Sequence, residues 1–477
     1  MKIRHNIEIS DKDTTPFVQC KLEREPYAKV LTEILNTYKK GFVLAINNEW
    51  GTGKTTFVKM WQKALETNHF GTGRFQTIYF NAWENDFDNN PLVALMSELK
   101  EFAKENKKEK VFKSVLEKGA ILAKDVLPTA VKLIAKKYID VDAITDTIEN
   151  VTKGATEIFK KEISEYANKK KTVSKFKTAL GNFIKKSKSD KPLVFIIDEL
   201  DRCRPDYAVE VLEKIKHFFS VEGIVFVLSI DKNHLASSIR GYYGSETINT
   251  DEYLRRFIDL EYSLPKPSTK VFCEYLFDYY NLPDYEYYDE NKKVNKGYRI
   301  IHMAEYLFDK SNATLRQQEK ILAFTKLLLS FSQELVLDED KMVAQLFFLL
   351  VYFKTMENKI YERIKNKKYN LQKFYDILDE LLPEEDKLIR PEADKLCKDD
   401  ISPSYCLSLH GITAYLLYLY NNKEFTNFDK IEFRLGTVLV KNTLNNRAFL
   451  GNSDYLNNIK NLDYFLNRID LTETIEI

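Results

Sequence analysis

Residues 48–55 read Asn-Glu-Trp-Gly-Thr-Gly-Lys-Thr. A lysine and a threonine directly after a glycine turn suit phosphate chemistry. The Lys54 ammonium can reach β- and γ-phosphate oxygens, and the Thr55 hydroxyl can ligate Mg²⁺. Gly51 and Gly53 let the backbone curl so that successive N–H groups face an anion. The usual pattern G-x-x-x-x-G-K-[ST] opens with glycine, whereas this chain has Asn48 there. Asparagine tolerates left-handed backbone better than other side-chain-bearing residues, so the loop is expected to form. Farther along, Asp198 and Glu199 follow the apolar run Leu193–Ile197. Asp198 at a strand tip can hold the Mg²⁺ shell, and Glu199 can polarise a water for attack on a γ-phosphate.

These groups need elements to position them. Phe42–Ile46 is apolar, and Phe57, Val58, Met60, Trp61 and Leu65 recur with helical spacing. Strand, glycine loop and helix is the context in which residues 48–56, including Glu49, Trp50, Thr52 and Thr56, would cradle a nucleotide's phosphates. Leu193–Ile197 is a continuous apolar run, as in a parallel strand covered on both faces. Gln76–Tyr79 and Ile224–Leu228 read as further strands, and Glu25–Lys40 as an amphipathic helix ending at Gly41.

Several segments together resemble one family. Asp-Glu-Leu-Asp-Arg-Cys at 198–203, the loop Glu49–Thr55, Phe80-Asn81-Ala82-Trp83, Phe226–Asp231 and Glu252–Phe257 followed by Ile258–Pro265 occur in the order typical of KAP family P-loop NTPases. The resemblance spans roughly residues 20–320 and places the chain near AAA+ and STAND proteins. It implies an α/β P-loop NTPase fold: a parallel sheet sandwiched by helices, with a helical insertion, a helical lid and an all-α C-terminal region. It also implies ATP and Mg²⁺ as ligands, ATP hydrolysis, and a part in bacterial anti-phage defence or a related stress switch. No Asn-Lys-x-Asp motif favours guanine, so ATP is preferred to GTP.

The resemblance extends to further residues. Ser229 would orient the attacking water from a strand between the loop strand and the acidic strand. Asp231 would cap the helix that follows. Arg255 and Arg256 precede the last core strand, where AAA+ proteins carry an arginine finger, but either can instead pair with Asp251 or Glu252. Arg202 and Arg204 are rivals for that role. Arg316, in Ser311–Arg316, resembles an arginine that opens the lid helix and contacts ATP, or is an ordinary arginine near a helix start.

The bulk composition fits an ordinary globular chain. Of 477 residues, 44% are hydrophobic and 30% charged, and the net charge of +1 supplies no global field for nucleic acid or membrane. Five scattered cysteines without a C-x-x-C pair argue against zinc and disulfide frameworks and for a reducing, cytoplasmic setting. The histidines stand too far apart for a metal site. No run is long and apolar enough to span a bilayer, although many members of the family carry transmembrane helices in the insertion.

Three domains are expected: a core over 1–265 with an insertion at about 99–191, a lid over 266–335 and helices over 336–477. Within the insertion, Val111, Val115, Leu122, Val126, Val131, Ile134 and Tyr138 keep a helical rhythm. Lys104–Lys110 reads as a charged linker. The basic stretches Asn168–Lys171 and Lys185–Lys191 flank a short helix around Phe176, Leu180 and Phe183. Nucleic-acid contact through 168–191 is conceivable but less favoured than a solvated face. Breaks are expected near Pro383, Pro391, Pro403 and Gly411.

Two functions follow. One is an ATPase that couples nucleotide state to a protein partner or effector subunit, with or without homo-oligomerisation. The alternative is a nucleotide-dependent scaffold or switch with little hydrolysis.

Overall fold

The computed structural model describes residues 16–18, 20–38, 40–123, 155–186, 191–282, 287–288, 294–295, 300–332, 341–381, 409–422, 424, 428–433, 440 and 461–471. It divides into two compact units, one running to Lys266 and the other beginning at Pro267.

The first unit is built on five strands. These are β1 (Val43–Asn47), β2 (Gln76–Asn81), β3 (Leu193–Asp198), β4 (Ile224–Ile230) and β5 (Leu260–Tyr262). Their spatial order is β2-β3-β4-β1-β5, and every pairing is parallel. All residues of β3 and β4 are buried, which is why both are near-continuous apolar runs rather than alternating, with Asp198 and Ser229 the polar exceptions toward their C-terminal ends.

Alternation still decides which face each side chain serves. Leu44, Ile46, Val194, Ile196, Val225 and Val227 pack with Phe57, Trp61 and Leu65 of the helix Lys54–Thr67 and with Leu31 and Leu35 of the helix Glu25–Thr37. Ala45, Phe195, Ile197, Phe226 and Leu228 face the opposite layer. There they meet Leu95 of the helix Pro91–Glu105 and Leu212 of the helix Pro205–Lys214. By the same parity Asp198 and Ser229 lie on the Lys54–Thr67 side of the sheet, and they are partners in register.

The segment between β2 and β3 is helical, as expected. Pro91–Glu105, Glu109–Ala123 and Ala155–Lys185 are helices, and Val115, Phe176, Leu180 and Phe183 are buried. The basic stretches differ from expectation. Lys104–Lys110 is a helix end, a turn and a helix start. Asn168–Lys171 belongs to one long helix with Phe176, because lysine is a good helix former and nothing in that stretch breaks the turn. Val126, Val131, Ile134 and Tyr138 lie outside the described residues. Among the described residues, no helix is long and apolar enough to cross a membrane.

The second unit is mainly helical. It includes Thr269–Tyr280, Ile300–Lys310, Leu315–Phe331, Lys341–Met356, Asn358–Lys365, Leu371–Leu381, Leu409–Tyr420 and Leu462–Leu471. A small antiparallel pair, Tyr287–Tyr288 with Val294–Asn295, was not legible in the sequence. Gly411, expected to mark a break, is the third residue of the helix Leu409–Tyr420. Pro383, Pro391 and Pro403 lie outside the described residues.

Candidate phosphate-binding site

The loop after β1 leads straight into the helix Lys54–Thr67. Gly51 and Gly53 have φ of 76° and 80°, a conformation open to glycine at little cost. Asn48 is absent from the positive-φ residues, so its tolerance of left-handed backbone is not what makes the loop work. Instead Asn48 Nδ2 donates to the Leu264 carbonyl at 2.7 Å, and Oδ1 accepts from the Leu264 N–H at 2.8 Å. The Asn48 N–H donates to the Ile230 carbonyl. This side chain prolongs the β1–β5 pairing beyond the last strand residues.

Lys54 is buried, and its ammonium donates to the carbonyls of Asn48 and Glu49. The Glu49 carbonyl also accepts from the Thr52 hydroxyl. Burial lowers the Lys54 pKa, opposed by Asp201, Asp231 and Asp198. Arg24, which precedes the helix Glu25–Thr37, is buried too. Its guanidinium forks onto the Thr52 and Gly53 carbonyls at 2.7 and 3.1 Å. No local motif in the sequence connects Arg24 to a loop so much farther along.

The acidic strand brings its tip to the same place. Asp198 Oδ2 accepts from the Tyr79 hydroxyl at 2.9 Å, and Oδ1 from the Glu199 N–H at 3.0 Å. Glu199 has φ 60° and ψ 26°, a left-handed conformation that costs about 1–2 kcal/mol for a side-chain-bearing residue. It opens the short turn Leu200–Arg202. Its carboxylate meets Arg202 Nη1 at 2.9 Å and accepts from Asn81 Nδ2 at 3.3 Å. Burial pushes the Glu199 pKa up, and Arg202 and Asn81 oppose this. Such a balance suits a carboxylate that must accept a proton.

One cavity is lined by Trp50, Gly51, Gly53, Lys54, Thr55, Asp198, Glu199, Asp201, Arg202 and Ser229. Loop lysine, helix threonine and both carboxylates therefore converge. Ser229 is fully buried, and its hydroxyl has no hydrogen-bond partner among the described residues, an orphaned donor beside the cavity. Asp231 accepts from the N–H groups of Asn233 and His234 and caps the helix Lys232–Tyr243, as its sequence position implied. Trp50 Nε1 donates to Asp201, and its ring stacks on His234 with centroids 3.7 Å apart.

Other sequence candidates of the first unit do not line this cavity. Arg255 is exposed and pairs with Glu252 at 3.4 Å. Arg256 lines a separate cavity with Gly41, Phe42 and Ile224, at the opposite ends of the strands from the loop. Arg204 is a strut: its Nε and backbone N–H both bind the Asp86 carboxylate, and Nη2 binds Asn89. Thr56 lies in the first turn of the loop helix. Arg316 is the second residue of the helix Leu315–Phe331, in the other unit, behind a Thr314–Gln317 capping box.

The residues fit a magnesium-bound phosphate chain. A threonine hydroxyl and one strand-tip carboxylate are what such a site offers Mg²⁺, the phosphates and waters supplying the rest. Among the described residues, no cluster of three or more His, Cys, Asp or Glu able to hold a metal occurs.

A parallel sheet covered on both faces, with a glycine loop capping a helix beside an acidic strand tip, defines a P-loop NTPase. The sequence pattern of the KAP family P-loop domain matches residues 24–474. The chain belongs to that family and carries its nucleotide-binding fold. No curated protein sequence matches it. Among solved structures, the chain is similar to the ORC2 protein of Aeropyrum pernix in its ADPNP–ADP complexes. Identity there is 13%, coverage 98% of both chains and the TM-score 0.36. The ADP form of that protein gives 12% identity, 98% coverage of this chain and 99% of the other, and a TM-score of 0.32. At these scores neither likeness is a guide to this chain's arrangement or activity.

Proposed function

We propose that the chain binds ATP with Mg²⁺ between the glycine loop and the acidic strand tip, and hydrolyses it. The reading rests on one observation: Lys54, Thr55, Asp198 and Glu199 line a single cavity. Mg²⁺, held by Thr55 and Asp198, would offset phosphate charge. The backbone of residues 48–54 and the Lys54 ammonium hold the phosphates. Glu199 takes a proton from water as the water oxygen bonds to the γ-phosphorus and the bridging P–O bond breaks, releasing ADP and phosphate. Ser229 orients that water through its orphaned hydroxyl. Arg255 and Arg256 would serve only from a neighbouring subunit.

In the same proposal, nucleotide state is coupled to a protein partner, with anti-phage defence as the setting, on the motif resemblance read from the sequence. The alternative reading, a switch with little turnover, is favoured by the engagement of Glu199 with Arg202.

Nucleotide binding and multiple-turnover phosphate release test the reading. Lys54→Ala is expected to abolish binding. Glu199→Gln is expected to retain binding and lose turnover by about 10²–10⁴-fold. Turnover unaffected by Glu199→Gln, or no binding by the native chain, would overturn it.

A further inference from the structure

Arg202 lines the cavity, and the proposed reaction assigns it no part. It closes the turn Leu200–Arg202, three residues after Glu199. Its guanidinium meets Glu199 at 2.9 Å, and its side chain is 30% exposed. The carbon centre of that group lies 5.7 Å from the ring centroids of both Trp50 and Trp83. Two indole faces can hold a guanidinium without consuming its N–H donors.

The other arginines near the loop are differently engaged. Arg24 holds the loop carbonyls from below, and Arg204 is committed to Asp86 and Asn89. Arg202 combines a place in the cavity lining with a single carboxylate partner among the described residues. A guanidinium has five N–H donors, so one carboxylate leaves donors for a further anion.

We propose that Arg202 is a γ-phosphate-contacting arginine that acts within its own subunit. It holds Glu199 when no γ-phosphate is present and exchanges that carboxylate for the γ-phosphate of a triphosphate. The exchange frees Glu199 to accept the water proton. It also sets a fixed positive charge where charge develops on the transferred phosphoryl group. Arg202 itself neither gains nor loses a proton. A diphosphate offers no γ-phosphate and leaves the Glu199 pair intact, so the site distinguishes triphosphate from diphosphate. Trp50, anchored on Asp201 and stacked on His234, stands against the arginine and reports its movement. The inference rests on the nucleoside-triphosphate reading above.

The test uses the full chain with Mg²⁺ and compares native protein, Arg202→Ala and Arg202→Lys. Affinities for ADP and for a non-hydrolysable ATP analogue are measured by calorimetry and tryptophan fluorescence, and kcat and KM are measured for ATP. Arg202→Ala is expected to lose about tenfold or more in affinity for the analogue. Its ADP affinity should stay within about twofold, which also reports an intact fold, because a diphosphate makes no contact with this residue. Its kcat should fall by about 10³-fold, with partial rescue by Arg202→Lys. The native fluorescence change on adding the analogue should be absent in Arg202→Ala. An unchanged ratio of analogue to ADP affinity, or a raised kcat on removing the arginine, would sink the inference and leave the site reading standing. Failure of the native chain to bind either nucleotide would overturn both.

Discussion

Asn48 and Leu264 exchange two hydrogen bonds, side chain to backbone, at 2.7 and 2.8 Å. The asparagine thus satisfies both backbone groups of a residue just past β5 and fastens the start of the phosphate loop to the sheet edge. A glycine, the common residue at this loop position, offers no such bond. Asn48→Gly is therefore expected to lower stability by about 1–3 kcal/mol, from two lost bonds and the unsatisfied groups left behind. Urea unfolding checks this. Unchanged stability would mean that water replaces the side chain without loss.

Arg24 supports the loop from the other side, through the carbonyls of Thr52 and Gly53. A lysine keeps the charge but cannot fork onto two acceptors. Arg24→Lys is expected to weaken nucleotide binding by about tenfold, the scale of one charge-assisted bond. Calorimetry with ADP reads the effect, and equal affinity would show that the loop holds its shape alone.

Gly41 precedes β1 where the chain passes close to β4. A Cβ there would sit 2.5 Å from the carbonyl oxygens of Val221 and Ile224, both backbone atoms that cannot swing away. Gly41→Ala is expected to destabilise the first unit by about 1–3 kcal/mol. Gly244→Ala is the comparison. Its Cβ would meet nothing within 4 Å, leaving only the strain of φ +62°, about 1 kcal/mol. Denaturation midpoints of the two variants should rank in that order.

Asp470 ties three parts of the second unit. Its carboxylate meets Lys365 Nζ at 2.6 Å, Lys354 Nζ at 3.0 Å and the Tyr361 hydroxyl at 2.9 Å. Burial raises its pKa, but these three partners outweigh burial and hold it below the usual range. The folded state therefore binds this proton less tightly than the unfolded chain does. The stabilisation is complete above the unfolded aspartate pKa and is lost as pH falls through the lower folded value. Asp470→Asn is expected to cost about 1–2 kcal/mol at pH 7. The gap to the native protein should close below about pH 3–4, where the unfolded aspartate titrates. Thermal or urea unfolding across that range checks it, and a gap independent of pH would refute the assignment.

Much of the site was legible because its signals are local. Gly51, Gly53, Lys54 and Thr55 act within one turn of chain, and the apolar run ending in Asp198 declares a buried strand whose tip must be polar. Asp231 as a helix cap was readable for the same reason. Asn48 stood out as unusual, but its role did not, because the partner Leu264 lies just past β5, a strand distant in sequence. Arg202 and Arg204 looked equivalent in the sequence. The loop carrying Asp86 and Asn89 takes one, and Glu199 with two indoles takes the other.

By itself, the sequence determined the core strands and most helices, the glycine loop and the acidic strand tip, since periodicity, glycine conformation and turn chemistry act over a few residues. Only the tertiary structure decided who meets whom at the strand ends. The strand order β2-β3-β4-β1-β5 sets Ser229 beside Asp198, puts Asn81 within reach of Glu199, and leaves Arg256 at the far end of the sheet. That order depends on how two apolar faces are covered at once, a sum over contacts between segments far apart in the chain, which no short stretch records.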